Sequence, residues 1–174
     1  MQALLGEGAM GQVFRVYDEL EDRVVALKLL KPERSEPGQL QRFKREFRAA
    51  ARLHHPYCVR SYELVEHGGL AMITMEHVEG GPLVLHRWER PADVARLALQ
   101  LLAGLDHIHG KQLVHRDLKP SNILIEPTPH GAPHPRLTDF GIADLAELAH
   151  EDTAVGLVQG SLRYLAPETL ESGA

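Results

Sequence analysis

The hydrophobic pattern predicts an α+β chain built as two lobes, on three observations. Segments with a period near two occupy most of the stretch up to Met75 and leave room for one helix. A polar, glycine-containing connector, Glu76 to Pro82, then interrupts the pattern and marks the best boundary between lobes. Beyond it lies one strongly amphipathic helix, followed by short apolar runs around the polar loop His115-Arg116-Asp117-Leu118-Lys119-Pro120-Ser121-Asn122.

Bulk composition narrows the classes. Of 174 residues, 44% are apolar and 25% charged, which suits a folded chain and excludes a disordered one. A net charge of −5 supplies no basic field for nucleic acid or for an anionic membrane. The single cysteine, Cys58, excludes an internal disulfide and suits a reducing compartment, so a cytoplasmic location is expected. No apolar run approaches the roughly 20 residues that span a bilayer, and the N-terminus does not resemble a signal peptide.

Met1 to Leu5 is a short apolar lead-in. Gly6-Glu7-Gly8-Ala9-Met10-Gly11-Gln12-Val13 follows and opens onto Phe14-Arg15-Val16-Tyr17, which alternates and reads as a strand. A dinucleotide fingerprint of similar spacing should open a helix instead. The glycine stretch is therefore a turn between strands, either a plain hairpin or a loop folded over phosphates.

Arg23 to Leu30 is the next strand. Its lysine shares a face with Val24 and Ala26, which favours a cleft over the solvated side. Gln39 to Leu53 is helical, with Leu40, Phe43, Phe47 and Ala50 at three- and four-residue spacing. Glu46 leans toward that face and needs a partner. Lys28 is one candidate, while Arg42, Lys44 or water are the alternatives.

Val59 to Glu66 and Leu70 to Met75 read as strands around a His67-Gly68-Gly69 turn. Asp93 is expected to cap the long helix that carries Val94, Leu97, Ala98, Leu101, Leu102, Leu105 and Ile108. His54-His55 and His107/His109 lack metal-ligand spacing and read as structural. Gln112-Leu113-Val114 and Ile123-Leu124-Ile125 read as short buried β segments that pin the polar loop. Asp117 there can accept a proton, Lys119 can neutralise an anion and Asn122 can offer an oxygen to a hard cation. A polar turn that only satisfies its own backbone is the alternative. Arg136-Leu137-Thr138 leads as a strand into Asp139-Phe140-Gly141, and Ile142 to Gly160 shows no sustained period.

Taken in order, Gly6-x-Gly8-x-x-Gly11-x-Val13, Val25-Ala26-Leu27-Lys28, Glu46, His115 to Asn122, Asp139-Phe140-Gly141 and Ala166-Pro167-Glu168 resemble the signature set of protein kinases. The resemblance covers essentially the whole chain. The Gly6 to Gly11 loop and Arg42-Phe43-Lys44-Arg45-Glu46 look most like bacterial kinases of the eukaryotic Ser/Thr type.

That resemblance implies a two-lobed kinase-like fold: an antiparallel β-sheet N-lobe with one helix over 1–75, a hinge at 76–82, and a partial, mainly helical C-lobe over 83–174. It implies ATP and Mg²⁺ as cofactors and protein Ser/Thr hydroxyls as substrate. Gly6, Glu7, Gly8, Ala9, Met10 and Gly11 would cover the phosphates, and Lys28, held by Glu46, would bind them. Val13, Ala26 and Leu124 would sandwich the adenine, Met75 would be the gatekeeper, and Glu76 and Val78 would offer hinge backbone. Asn122 and Asp139 would hold Mg²⁺. Asp117 would take the proton of the substrate hydroxyl, and Lys119 would stabilise the transferring phosphoryl group.

Arg116 implies control by a phosphate on the activation segment, with Thr153 the candidate acceptor and an unmodified loop residue the alternative for it. Ser161 takes the substrate-docking position.

Two departures stand out. Ala50 replaces a larger apolar residue, which would loosen the stack linking its helix to Phe140 and His115. The chain also stops six residues after Glu168. The expectation is therefore a fragment or truncated kinase whose lower lobe needs a covering partner. An inactive nucleotide-binding or interaction module is the alternative function.

Overall fold

A computed structural model describes residues 3–8, 11–30, 37–86, 88, 90–129, 131–140, 143–144 and 164. Strands β1 (Ala3–Glu7), β2 (Gly11–Asp18) and β3 (Arg23–Leu30) are followed by helix α1 (Pro37–Ala50). Next come β4 (Ser61–His67), β5 (Leu70–Glu76) and β6 (Gly81–Pro82), then helix α2 (Pro91–Gly110). The chain continues through β7 (Leu113–Val114), β8 (Ile123–Ile125), β9 (Pro135–Leu137) and β10 (Ala143–Asp144).

The upper lobe is a five-stranded antiparallel sheet in the order β1-β2-β3-β5-β4. Its core joins Ala26, Leu30, Ala71, Ile73 and Met75 of the sheet to Phe43 of α1, which is fully buried. Burying one such aromatic contributes several kcal/mol, on the order of the ~3–5 lost when it is cut back to alanine. The lower lobe packs Leu97 and Ile108 of α2 against Leu113, Ile123, Ile125 and Leu137. Gly104 lets α2 approach this ribbon: a Cβ there would come within 2.9 Å of the Leu137 side chain. A three-stranded sheet, β6-β8-β9, and a two-stranded one, β10-β7, complete the lobe.

Several boundaries differ from expectation, each for a local reason. The apolar lead-in is a true strand that runs on through Gly6 and Glu7, paired with β2. Helix α1 starts at Pro37, where a fixed φ suits the first turn, and stops at Ala50. Asp93 does not cap α2. Arg90 holds the cap position, Pro91 opens the helix, and Asp93 lies in the first turn, where its carboxylate meets Arg90 Nε at 3.3 Å. Part of the polar connector is also a strand, since Gly81 and Pro82 pair with Ile125 and Leu124. Ala143–Asp144, within a stretch that lacks periodicity, pairs with Val114 and Leu113. Two-residue strands of this kind are made by their partners, which periodicity does not report.

Candidate active site

The site lies where the upper sheet faces the β7–β9 region of the lower lobe. The glycine turn joins β1 to β2, with Gly6 opposite Val13, Glu7 opposite Gln12, and the Gly8 N–H donating to the Gly11 carbonyl at 2.9 Å. Gly11 is glycine for a reason other than phosphate access. A Cβ there would overlap the Leu29 carbonyl oxygen of β3, whereas one at Gly6 or Gly8 would meet nothing within 4 Å. Ala9 and Met10 lie outside the described residues.

Lys28 stands in β3 between Val13 and Ile73. Its Nζ lies 2.9 Å from Asp139 Oδ1 and 3.8 Å from Glu46 Oε2. Lys28 and Asp139 are 111 positions apart in the chain. Burial works against the Lys28 ammonium, but the carboxylates of Asp139 and Glu46 outweigh it and raise its pKa. Glu46 is only 7% exposed. Burial raises its carboxyl above the ordinary value, against the pull of Lys28 and of Arg42, whose Nε is 3.8 Å away. Asp139 moves the other way: Lys28 lowers its pKa against burial. Its side chain keeps 38% exposure, so solvent weakens that pairing.

The polar loop is held as a unit. The Asp117 N–H donates to the His115 carbonyl at 2.8 Å, and Lys119 Nζ lies 2.7 Å from Asp117 Oδ2. Asn122 Nδ2 donates to the Asp117 carbonyl oxygen at 2.8 Å and to its Oδ2 at 2.9 Å. The Thr138 N–H donates to the Asn122 carbonyl at 3.0 Å, which ties the end of this loop to the residue before Asp139. Arg116 and Asp139 both adopt positive φ, 59° and 52°. Such backbone costs on the order of 1–3 kcal/mol each and persists only where surroundings enforce it. Phe140 and His115 supply part of that enforcement, with ring centroids 5.1 Å apart. His115 is 3% exposed, and burial lowers its pKa. Neither of its ring nitrogens meets hydrogen-bond geometry among the described residues, and its own backbone and the Asp117 and Asp139 carboxylates act against the effect of burial.

Above the loop, Val13, Ala26, Met75, Val78 and Leu124 belong to one apolar cluster, so a lower-lobe side chain packs with the upper sheet. Ala50 is buried beside Phe140, and the two help line a small cavity with Lys28, Glu46, Phe47 and Met75. Cys58 is buried and its thiol is pushed up to about 11, chiefly by burial, which makes it a packing group and not a nucleophile. Gly141, Thr153, Ser161 and Ala166-Pro167-Glu168 lie outside the described residues.

Among the described residues no three His, Cys, Asp or Glu side chains converge as a metal cage. The Asp139 carboxylate and the Asn122 amide oxygen are hard donors. They fit a cation such as Mg²⁺, which takes one or two protein oxygens and completes its shell with water and phosphate. One residue escaped sequence reasoning. Arg136 is 9% exposed and pairs with both Glu76 and Glu126. In the sequence it is only an arginine between Pro135 and Leu137, and nothing there marks it as buried.

A sheet lobe and a helical lobe that bring a buried lysine, paired carboxylates and a strained polar loop to one cleft define a class of polyanion-handling proteins. The comparisons specify which. The chain belongs to the protein kinase family: the family model described as protein kinase domain matches residues 1–174. It is 39% identical to the serine/threonine-protein kinase pkn3 of Myxococcus xanthus, over 97% of this chain and 32% of that protein. It is 40% identical to PknA of Mycobacterium tuberculosis, over 97% of this chain and 40% of that protein. The PknI kinase domain crystal structure, also from Mycobacterium tuberculosis, superposes with a TM-score of 0.64 at 32% identity, covering 81% of this chain and 58% of that one. The chain thus spans well under half the length of the curated relatives it matches. Family membership implies ATP and, typically, a divalent metal as cofactors.

Proposed function

We propose that this chain carries out ATP-dependent phosphoryl transfer to Ser/Thr hydroxyls of protein substrates, with residues 1–75 as N-lobe, 76–82 as hinge and 83–174 as part of the C-lobe. The convergence of Lys28, Glu46 and Asp139 with Asp117, Lys119 and Asn122 on one cleft carries this reading.

The substrate hydroxyl oxygen bonds to the γ-phosphorus as the bond to the β–γ bridging oxygen breaks, and ADP departs with that electron pair. Asp117 accepts the hydroxyl proton. Asn122 and Lys119 hold the Asp117 carboxylate in position for it. Charge spreads over the equatorial phosphoryl oxygens, so placed cations do most of the work. Lys119 serves that charge at the γ-phosphoryl. Lys28, kept protonated by two carboxylates, serves the α- and β-phosphates. Asn122 and Asp139 would hold Mg²⁺, which would neutralise phosphate charge. The Gly6 to Gly11 segment, Glu7, Ala9 and Met10 included, would cover the phosphates. Val13, Ala26 and Leu124, which share an apolar cluster with Met75 and Val78, would flank adenine, and the Glu76 and Val78 backbone would offer its hydrogen bonds.

The partners are ATP and a protein bearing Ser or Thr. The net charge of −5 argues against nucleic acid, and the single buried cysteine suits the reducing cytoplasm. No described helix is long and apolar enough to cross a membrane. The test is transfer of labelled γ-phosphate to a generic basic protein by the chain and by its Asp117→Asn variant. A loss of about 10²- to 10⁴-fold with nucleotide binding retained is expected; equal transfer by both refutes the assignment.

A second reading, a nucleotide-binding or protein-interaction fragment without turnover, draws for its interaction part on Val94, Leu99 and Leu102 of α2, which are exposed. Such a surface suits a covering partner. Nucleotide-dependent thermal stabilisation with no transfer would select it.

A further inference from the structure

Arg136 is the buried charge that phosphoryl transfer leaves unused. Its Nη2 pairs with the Glu76 carboxylate and donates to the Cys58 carbonyl oxygen at 3.3 Å, while its Nη1 lies 3.1 Å from Glu126 Oε2. One guanidinium therefore joins the end of β5, the segment before β4, and the residue after β8. The planar fork of arginine allows this, because its two terminal nitrogens reach acceptors on separate segments, whereas a lysine would have to gather all three around one nitrogen.

What these groups surround gives the arrangement its meaning. Glu76 opens the strap between the lobes, and its backbone N–H also donates to the Arg60 carbonyl at 2.8 Å. At the far end of the strap, Pro82 pairs with Leu124. Leu124 is in turn the register partner of Arg136 in the β8–β9 ribbon. Both ends of the strap are thus fastened to one cross-strand pair, Leu124 and Arg136. Leu124 packs in the apolar cluster with Val13, Ala26, Met75 and Val78.

We propose that Arg136 is a positioning residue for nucleotide binding: through the Glu76 side chain it holds the strap at the spacing from Leu124 that adenine requires. The inference rests on the proposed function, which places adenine at the strap. With Arg136 removed, Glu76 and Glu126 lose the cation they share and the strap leaves its single path. Affinity falls in proportion to the fraction of time the competent path is occupied. The phosphate-handling groups are untouched, so the loss concerns the adenosine part of the ligand.

The experiment titrates the protein with a non-hydrolysable ATP analogue plus Mg²⁺, and separately with adenosine, at a temperature well below its unfolding midpoint. Arg136→Met and Glu76→Gln are each expected to weaken both ligands about tenfold, the drop for a strap in place a tenth of the time. The double variant should lose no more than Arg136→Met alone, because the Glu76 contact is already gone once Arg136 is removed. Lys28→Met provides the contrast, weakening the analogue and not adenosine. If Arg136→Met does not fold, Glu76→Gln decides alone, since its carboxylate is part-exposed and the substitution keeps its volume. Unchanged affinities in folded Glu76→Gln, or losses that add in the double variant, overturn the inference and leave the proposed function standing. Failure of the parent protein to bind either ligand overturns both.

Discussion

Replacing Lys28 with methionine separates what the lysine does for the fold from what it does for the ligand. The side chain is 13% exposed and its ammonium lies between Asp139 at 2.9 Å and Glu46 at 3.8 Å. Removing one member of a buried ion pair costs about 3–5 kcal/mol, because the remaining charge is left without compensation. Here two features reduce the figure. Asp139 retains solvent contact, and Arg42 stays 3.8 Å from Glu46. We expect a loss of roughly 2–3 kcal/mol at pH 7, read from urea unfolding.

The pH dependence is diagnostic. Burial already raises the Glu46 pKa, and without Lys28 it rises further. A raised carboxyl favours the folded state where it is protonated and loses that contribution as pH climbs through the folded pKa. The destabilisation caused by Lys28→Met should therefore shrink as pH falls from 7 toward 5. A second change, Glu46→Leu, should restore most of the lost stability by replacing an orphaned charge with apolar packing. Nucleotide affinity should not return. A Lys28→Met variant as stable as the parent at pH 7, or one whose deficit is flat with pH, would refute the argument that Glu46 depends on Lys28.

Further outcomes follow from single contacts. Gly11→Ala should cost about 1–3 kcal/mol in chemical denaturation, because its Cβ meets the Leu29 carbonyl, while Gly8→Ala should stay within about 0.5 kcal/mol of the parent. His115 has a lowered pKa, so the unfolded state takes up protons first and stability is lost as pH drops below the ordinary histidine value. Midpoints measured between pH 7.5 and 5.5 should fall less for His115→Phe than for the parent. Ala50→Val should raise stability by about 0.5–1 kcal/mol by filling the cavity shared with Phe140 and Phe47; a lowered midpoint would show that space to be already closed.

Legibility differed by residue and by the range of the contact involved. Strand β3 could be read at both ends, since an apolar run bounded by a polar turn and a proline-rich connector is a local signal. Helix α1 was visible through Phe43 and Phe47, yet its last turn was not, because the chain leaves the helix after Ala50. The cap of α2 was misplaced onto Asp93 because a proline just before it was a competing signal for the start of the helix. Strands β6 and β10 escaped altogether, as their hydrogen bonds are made with residues far along the chain.

By itself the sequence determined which chemical groups are available and in what order: a glycine turn, a lysine in a strand, a glutamate on a helix, an acid–lysine–asparagine loop and a second acid before Phe140. Side-chain chemistry and local periodicity are properties of neighbouring residues, so they survive without coordinates. Tertiary structure alone decided that Lys28 is nearer to Asp139 than to Glu46, that Gly11 answers to the Leu29 carbonyl, and that Arg136 grips the strap beside the cleft. Those outcomes depend on which segments the fold presses together and which of them water can still reach, and charge pairing and steric fit act only at that range.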